Sequence, residues 1–503
     1  MVDVRIGGDR PSIAESYTPA RLKNPRYYTD VINERLRKAG FRPDWIDPSR
    51  NPQINDEVTG GIYDNSLLRV ITTFNKKGYA LYDFFAKIMH PDKRATSDTL
   101  DQRDLERRAI YEFEHLHAWN AMGLPSPRVI DMFSEDAGGN GNLSKVYTIL
   151  MEYIGTPAHD IDIIAINSKI EEFRKRLGDP FYSQEHKEIL RKAIGTLNES
   201  RKDILRSILK TQVETELCGA YYVNLGEGRD RLKTHQYEAS DQLKSAVHCA
   251  KEFKKWNQII RGAADPRIRG LEQVVSLPFG IECNMSLNSL VTFLFNGKNE
   301  RYVQGDEFLH HYLYDTREDG RKVSVMIDAN LTQLGDPMYG VMKTLTSPLL
   351  IEIPYEELVG LIEFRNEFFI RRMTELSKSL KGMESIVKNE DVKNSLLRGD
   401  LFALFLIPKL MGLKARDENR NKPHFERLYG LVKPYGNSMV EFPHNEKPEN
   451  VSFSYYNSKE SIEALSKRLN EVLQHIRLRH RLNGKLETMI KSAEDFYKGN
   501  NYL

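Results

Sequence analysis

Two acids flanking a histidine pair are the residues in this chain whose types and spacing could do chemistry. Asp306 stands on the Gly-Asp turn of "YVQGDEFLHHYLYD" (302–315), and Asp328 ends the apolar run "VSVMID" (323–328), with His310 and His311 between them. Carboxylates raised at the ends of two neighbouring strands can serve phosphoryl transfer. That reaction needs an acid beside the acceptor hydroxyl, oxygen ligands for a divalent cation and a lysine on the nucleotide phosphates. Ordinary turn chemistry also puts Gly-Asp pairs at strand ends. Adjacent histidines entering a strand point to opposite sides, so only one of the pair can face a shared ion.

The other parts of such a site have candidates further upstream. Gly60 and Gly61, in "TGGIYDN" (59–65), would let backbone N–H groups approach a polyphosphate without Cβ clashes, or simply make a hairpin turn. "FFAKIM" (84–89) sets Lys87 in an apolar strand, where an ammonium is costly unless paired or on an edge reaching water. Glu106, Glu112 and Glu114, in the segment that follows, compete as its partner.

The elements that must position these residues are legible from periodicity. Residues 1–50 are polar and proline-punctuated, with a helix expected at "YYTDVINERLRKAG" (27–40). "LLRVITTF" (67–74) and "YDFFAKIM" (82–89) read as strands joined by an "NKKG" turn. A helix over 99–123 follows, with Leu105, Ala109, Phe113, Leu116 and Met122 near helical spacing and Gly123 at its end. "RVIDMF" (128–133) and "VYTILMEYI" (146–154) read as two more strands, and the stretch from 53 onward as a whole reads as β-β-β-α-β-β. Beyond Ile154 the chain turns helical and charged, strands return around 302–328, and from 350 onward the pattern is again helical. "NLGEGRDR" (224–231) completes no glycine-loop motif and reads as a turn, while 440–458 has the composition of a connector.

Composition bounds the rest. A chain of 503 residues is too long for one core, and two to four domains are expected. Hydrophobic content of 40% with 29% charged residues describes a globular chain rather than a disordered one. A net charge of +2 gives no global field for nucleic acid or anionic membrane. Three scattered cysteines support neither a zinc knuckle nor a disulfide framework. The run "LFALFLIPKLMGL" (401–413) is too short to span a membrane and reads as a core helix. With no apolar leader at the start, a cytoplasmic protein is expected. The basic stretch 466–485 reads as a solvated helix face.

Taken in order, glycine hairpin, strand lysine, helix glutamate, "MEY", Gly-Asp turn and strand-Asp resemble the aminoglycoside phosphotransferase and choline kinase-like family of the protein-kinase-like superfamily. The residues carrying the resemblance are "GGIYDN" ending in Asn65, "GLPSPRVI" (123–130), "ILMEYI" (149–154), "QGDEFLHH" (304–311) and "IDANLTQLGDP" (327–337). They cover roughly 53–154 and 300–345.

The resemblance implies an α+β, bilobal kinase-like fold. Its parts would be an N-terminal extension (1–52), a small β-rich lobe (53–154), a C-lobe with a helical insertion (155–347) and a helical C-terminal region (348–503). It implies ATP-dependent transfer of a phosphoryl group to a hydroxyl, with Mg²⁺ or Mn²⁺. Asp306 would be the catalytic base and Asp328 a metal ligand. Lys87 would hold the phosphates, oriented by Glu112, which the family's spacing back from Gly123 selects, and Gly60, Gly61, Asn65 and Glu152 would complete the nucleotide site.

Four positions depart from the family pattern: Gln304 stands for His, His311 for the metal-holding Asn, Asn330 for an acid, and Gly340 where an Asp is common. His311 as a metal ligand would favour Mn²⁺ over Mg²⁺. A nucleotide-binding pseudokinase, or a kinase acting on protein or RNA, are the alternatives to a small-molecule kinase.

Overall fold

The structure, a computed structural model, describes residues 20–38, 53–55, 65–74, 80–89, 102–136, 145–154, 158–224, 238–260, 272–316, 322–380, 394–420 and 458–503. It is a mixed α+β architecture, an antiparallel sheet near the N-terminus followed by a mostly helical chain. Two compact units divide it: the described residues up to 154 together with 325–330 form the first, and the other described residues the second.

The first unit is built on five antiparallel strands in the order β1-β2-β3-β5-β4. These are β1 (Gln53–Asn55), β2 (Asn65–Phe74), β3 (Ala80–Met89), β4 (Val129–Asp136) and β5 (Lys145–Glu152). Helix α1 (Pro25–Lys38) precedes them and α2 (Gln102–Ala121) joins β3 to β4, which is the β-β-β-α-β-β order expected. Strand period two decides what β3 carries. Phe84, Ala86 and Ile88 point to the face packed by Leu22, Tyr28 and Ile32 from the N-terminal stretch, so Lys87 points to the other face.

Helix α2 ends on Gly123, in the left-handed region at φ +70°, with Leu124 N–H closing back onto the Trp119 carbonyl at 2.9 Å. Asn120 then grips the entry to β4, accepting from Val129 N–H at 2.9 Å and donating to Ser126 Oγ and the Pro127 carbonyl. That is the physical content of "GLPSPRV".

The second unit opens with α3 (His159–Gly178), α4 (Gln184–Asn224), α5 (Ala239–Ile260) and α6 (Glu272–Leu294). After β6 (Arg301–Val303) a short 3₁₀ turn, Leu309–His311, leads to β7 (Tyr312–Thr316), which pairs with β8 (Lys322–Met326). Strand β9 (Gln333–Gly335) pairs antiparallel with β6, and α7 (Pro337–Leu345), α8 (Tyr355–Ser379), α9 (Ser395–Arg420), α10 (Ser458–Arg479) and α11 (Gly484–Gly499) follow.

Helix α9 is the centre of this unit. Leu401 through Ile407 are all buried, so the helix is apolar all round, and it runs on through Pro408. The "LGDP" segment also has a local explanation: Asp336 caps α7 by accepting Met338 N–H at 2.9 Å, Pro337 occupies the first turn, and Arg398 from α9 closes on the buried Asp336 carboxylate. Among the described residues, no helix is long and apolar enough to cross a membrane.

Candidate active site

In the first unit, Lys87 is the organising residue. It lies on a central strand, opposite Leu67 on one side and Ile149 on the other, and is 8% exposed. Its Nζ donates to Glu112 Oε1 at 2.7 Å and Oε2 at 2.9 Å, and to Asp328 Oδ1 at 3.0 Å. Burial pushes the ammonium toward its neutral form, but the Asp328 and Glu112 carboxylates more than offset this and hold its pKa above the ordinary value.

Of the three competing glutamates, Glu106 and Glu114 are exposed and Glu112 is the one Lys87 meets. The apolar stripe of α2 is Leu105, Ala109, Leu116 and Trp119, and Glu112 sits within it at i+3 and i−4 spacing. Phe113 and Met122, expected on that stripe, are only half-buried. Asp328 arrives from beyond β8, whose last residue donates Met326 N–H to the Pro125 carbonyl at 2.8 Å. Its own backbone is left-handed, φ +62°, a conformation that Asp tolerates better than most residues.

In the second unit the Gly-Asp turn is held from several sides. Gly305 adopts φ +90°, and a Cβ there would collide with the Leu331 carbonyl that the β6–β9 pairing brings alongside. Glu307, 3% exposed, accepts the Gly305 N–H at 2.9 Å. The space its carboxyl fills is the space a Cβ on Gly340 would need, at 2.5 Å from Glu307 Cδ. Burial raises the Glu307 pKa, with Lys343 pulling the other way.

Lys343, on α7, donates to Asp306 Oδ1 at 2.9 Å and to the Gly305 carbonyl at 3.1 Å, with its ammonium 4.5 Å from the Phe308 ring centroid. Burial lowers the Lys343 pKa, but Asp306 leads the groups that lift it above normal. His311 lies on the 3₁₀ turn rather than entering a strand directly, because Phe308 N–H closes on Asp306 O at 2.7 Å and His311 N–H on Phe308 O at 3.0 Å. Its Nδ1 is 2.6 Å from the Asp306 carbonyl and 3.5 Å from Asp306 Oδ2. A carbonyl only accepts, so Nδ1 carries the proton and the lone pair of the neutral ring is on Nε2. Asp160, in the first turn of α3, is raised to about 6 by burial, opposed in part by the nearby His311.

Within the first unit, then, the structure joins Lys87, Glu112 and Asp328; within the second it joins Asp306 and His311. Glu152 is exposed at the end of β5 opposite Phe84, and Asn65 begins β2 opposite Met89. Gly60 and Gly61 lie outside the described residues, as do the side chains of Asn65 and Asn330, residues 225–231 of the "NLGEGRDR" turn and most of the 440–458 connector. His310 is half-buried and stacks on Phe308 at 5.5 Å.

Sequence reasoning missed Lys343, Glu307 and Asp160. For Lys343 a signal existed: every neighbour from Met338 to Leu345 is buried, and a lysine in such a helix must find an anion. In the basic stretch 466–485, Lys467, Arg477, Arg479, Arg481 and Lys485 are exposed as expected, whereas Arg468 is 3% exposed and donates to the carbonyls of Leu350, Ile351 and Ile353.

No protein-family model matches this sequence, and no curated protein does. Solved structures do. Among them are the ethanolamine kinase of Plasmodium vivax, at 9% identity over 81% of this chain and 87% of that one, with a TM-score of 0.39. An aminoglycoside phosphotransferase from Alicyclobacillus acidocaldarius matches at 10% identity over 86% and 94%, with a TM-score of 0.36. A choline kinase from Streptococcus pneumoniae matches at 10% over 81% and 99%, with a TM-score of 0.33.

Proposed function

We propose that this chain is an ATP-dependent phosphotransferase that delivers a phosphoryl group to a hydroxyl of a small molecule. The observation that carries the reading is the Lys87 cluster: an enclosed ammonium shared by two carboxylates, of which Glu112 is 1% exposed and Asp328 25%. Glu112 is a buried orienter. Asp328 remains reachable from solvent, as a residue that must meet a ligand needs to be.

Lys87 would contact the nucleotide phosphates, Glu112 would keep its ammonium charged and aimed, and Gly60, Gly61, Asn65 and Glu152 would complete the nucleotide contacts. The Asp328 carboxylate is a hard oxygen donor that fits Mg²⁺ or Mn²⁺, and the Nε2 lone pair of His311 is the nitrogen that would suit Mn²⁺. A divalent ion bound at Asp328 would supply neutralisation of phosphate charge. Asp306 would orient the acceptor hydroxyl and accept its proton as the new O–P bond forms and the bond from the γ-phosphorus to the bridging oxygen breaks, with ADP as the leaving group. Lys343 fixes the Asp306 carboxylate in one position.

The test has two arms. Thermal-shift titration with ATP should stabilise the wild type and leave Lys87→Met with little or no shift; equal stabilisation of the two removes Lys87 from the nucleotide site. Radiolabelled-ATP turnover against a metabolite library, in Mg²⁺ and in Mn²⁺, should label a hydroxyl compound. ATP binding without transfer to any acceptor would instead leave a nucleotide-binding module.

A further inference from the structure

Within the second unit, away from the Gly-Asp turn, three side chains that no catalytic role uses converge on one point. Asp400, on α9, is fully buried, and its Oδ2 lies 2.9 Å from His475 Nδ1 and 2.6 Å from His480 Nε2. His475 is on α10, and His480 follows directly, its N–H still bonded to the Ile476 carbonyl at 3.2 Å. The three potential donor atoms all lie within 4.8 Å of one another.

We propose that Asp400, His475 and His480 form a binding site for a divalent transition-metal ion, zinc fitting best. Two imidazole nitrogens and one carboxylate oxygen are a donor set that suits zinc and disfavours magnesium and calcium, with a fourth position left for water.

The surroundings are those of an oriented ligand set. Tyr355 Oη donates to Asp400 Oδ1 at 2.6 Å, which leaves Oδ2 as the single ligating oxygen. On the far side of His475, Nε2 is buried, without a hydrogen-bond partner, and 3.6 Å from Glu356 Oε2. Arg479 holds that same glutamate. A carboxylate behind the outer nitrogen of a histidine sets the proton there and turns the inner lone pair toward the metal.

Nδ1 of His475 faces Asp400 Oδ2 and Nε2 faces Glu356 Oε2, so the ring is held between two carboxylates. An ion at Nδ1 leaves the proton on Nε2, where the carboxylate can receive it. Donors around a tetrahedral zinc stand roughly 3.4 Å apart, so the 2.9 Å His475 contact must open by about half an ångström and the 2.6 Å His480 contact by somewhat more. His480, whose side chain is 15% exposed, is the side that can yield and admit the ion.

The experiment uses the full chain with any purification tag removed, stripped with chelator, loaded with Zn²⁺ and desalted. Elemental analysis should find one zinc per chain, and competition with a chromophoric chelator should give its affinity. His480→Ala should weaken binding by more than about tenfold and abolish the zinc-induced rise in melting temperature. Glu356→Gln, at a side chain 59% exposed and so harmless to folding, should weaken it about tenfold by releasing the His475 tautomer. Substoichiometric zinc in the wild type, or unchanged affinity in Glu356→Gln and in any folded His480→Ala, overturns the proposal and leaves a hydrogen-bonded carboxylate–imidazole cluster.

Discussion

Lys343 Nζ stands 2.9 Å from Asp306 Oδ1, so the acid proposed as catalytic base is ion-paired by a lysine from the following helix. The pair is mostly enclosed, with side-chain exposures of 11% and 20%. Lys343→Met keeps the volume and removes the charge, stranding Asp306. Breaking an enclosed pair from one side costs about 3 kcal/mol, to be read by denaturant titration. Turnover should fall at least about tenfold with the KM for ATP little changed, because the acid loses its fixed position. Unaltered turnover would reduce Lys343 to a structural counter-ion.

Asp306 and Asp328 should separate kinetically. Asp306→Asn should retain ATP binding and lose turnover by about 100-fold or more, the usual worth of a positioned general base. Asp328→Asn should lose turnover and also weaken metal-dependent nucleotide binding. Isothermal titration with ATP in Mg²⁺ and in chelator, beside initial rates, distinguishes them. Wild-type turnover in Asp306→Asn would end its assignment as base.

Gly340→Ala places a methyl where the Glu307 carboxyl lies. Glu307 cannot retreat without releasing the Gly305 N–H, so the substitution should destabilise by about 1–3 kcal/mol, as overpacking does. The check is a double-mutant cycle: in a Glu307→Ala background the Gly340→Ala penalty should largely vanish. Additive penalties would show that the two positions do not share this space.

His159 gives the fold an acid sensitivity. It is fully buried; Nε2 lies 2.8 Å from Ser324 Oγ, the ring meets Tyr314 edge-on, and Asp162 is 3.8 Å from Nδ1. Burial lowers its pKa, with Asp162 opposing. A histidine depressed in the folded state stabilises above its unfolded value of about 6.5, and that contribution is lost as pH falls through the folded value. His159→Gln can keep a hydrogen bond to Ser324 and does not titrate. Its melting temperature should therefore fall less than that of the wild type between pH 7 and pH 5, and parallel curves would refute the assignment.

How much of this was readable in the chain depends on whether the signal is local. The strands around Lys87 and the Gly123 helix stop each arise within a few residues, and their sequence patterns foretell them. Which glutamate meets Lys87 was left open by residue type, yet the phase of α2 carries the answer, since Glu112 alone of the three shares the stripe of Leu105, Ala109, Leu116 and Trp119. The Glu307–Gly340 exchange of space and the Lys343–Asp306 pair join residues 33 and 37 positions apart through packing that no short motif encodes. The Asp400–His475–His480 convergence, across 75 and 80 positions, was least accessible, and the basic residues around the histidines suggested a solvated surface instead.

Residues 325–330 belong to the first unit, although the chain on either side of them belongs to the second. The polypeptide therefore visits the N-terminal unit a second time, for six residues that include Asp328. A chain severed after residue 156 would keep Lys87 and Glu112 but leave the ammonium with one carboxylate instead of two. Contiguous pieces of this chain are thus poor candidates for exchange as modules: grafting either side of a cut after residue 156 onto a foreign partner splits a charge cluster whose members are encoded some 240 residues apart. Selection acting on Lys87 must act on both stretches of the gene at once.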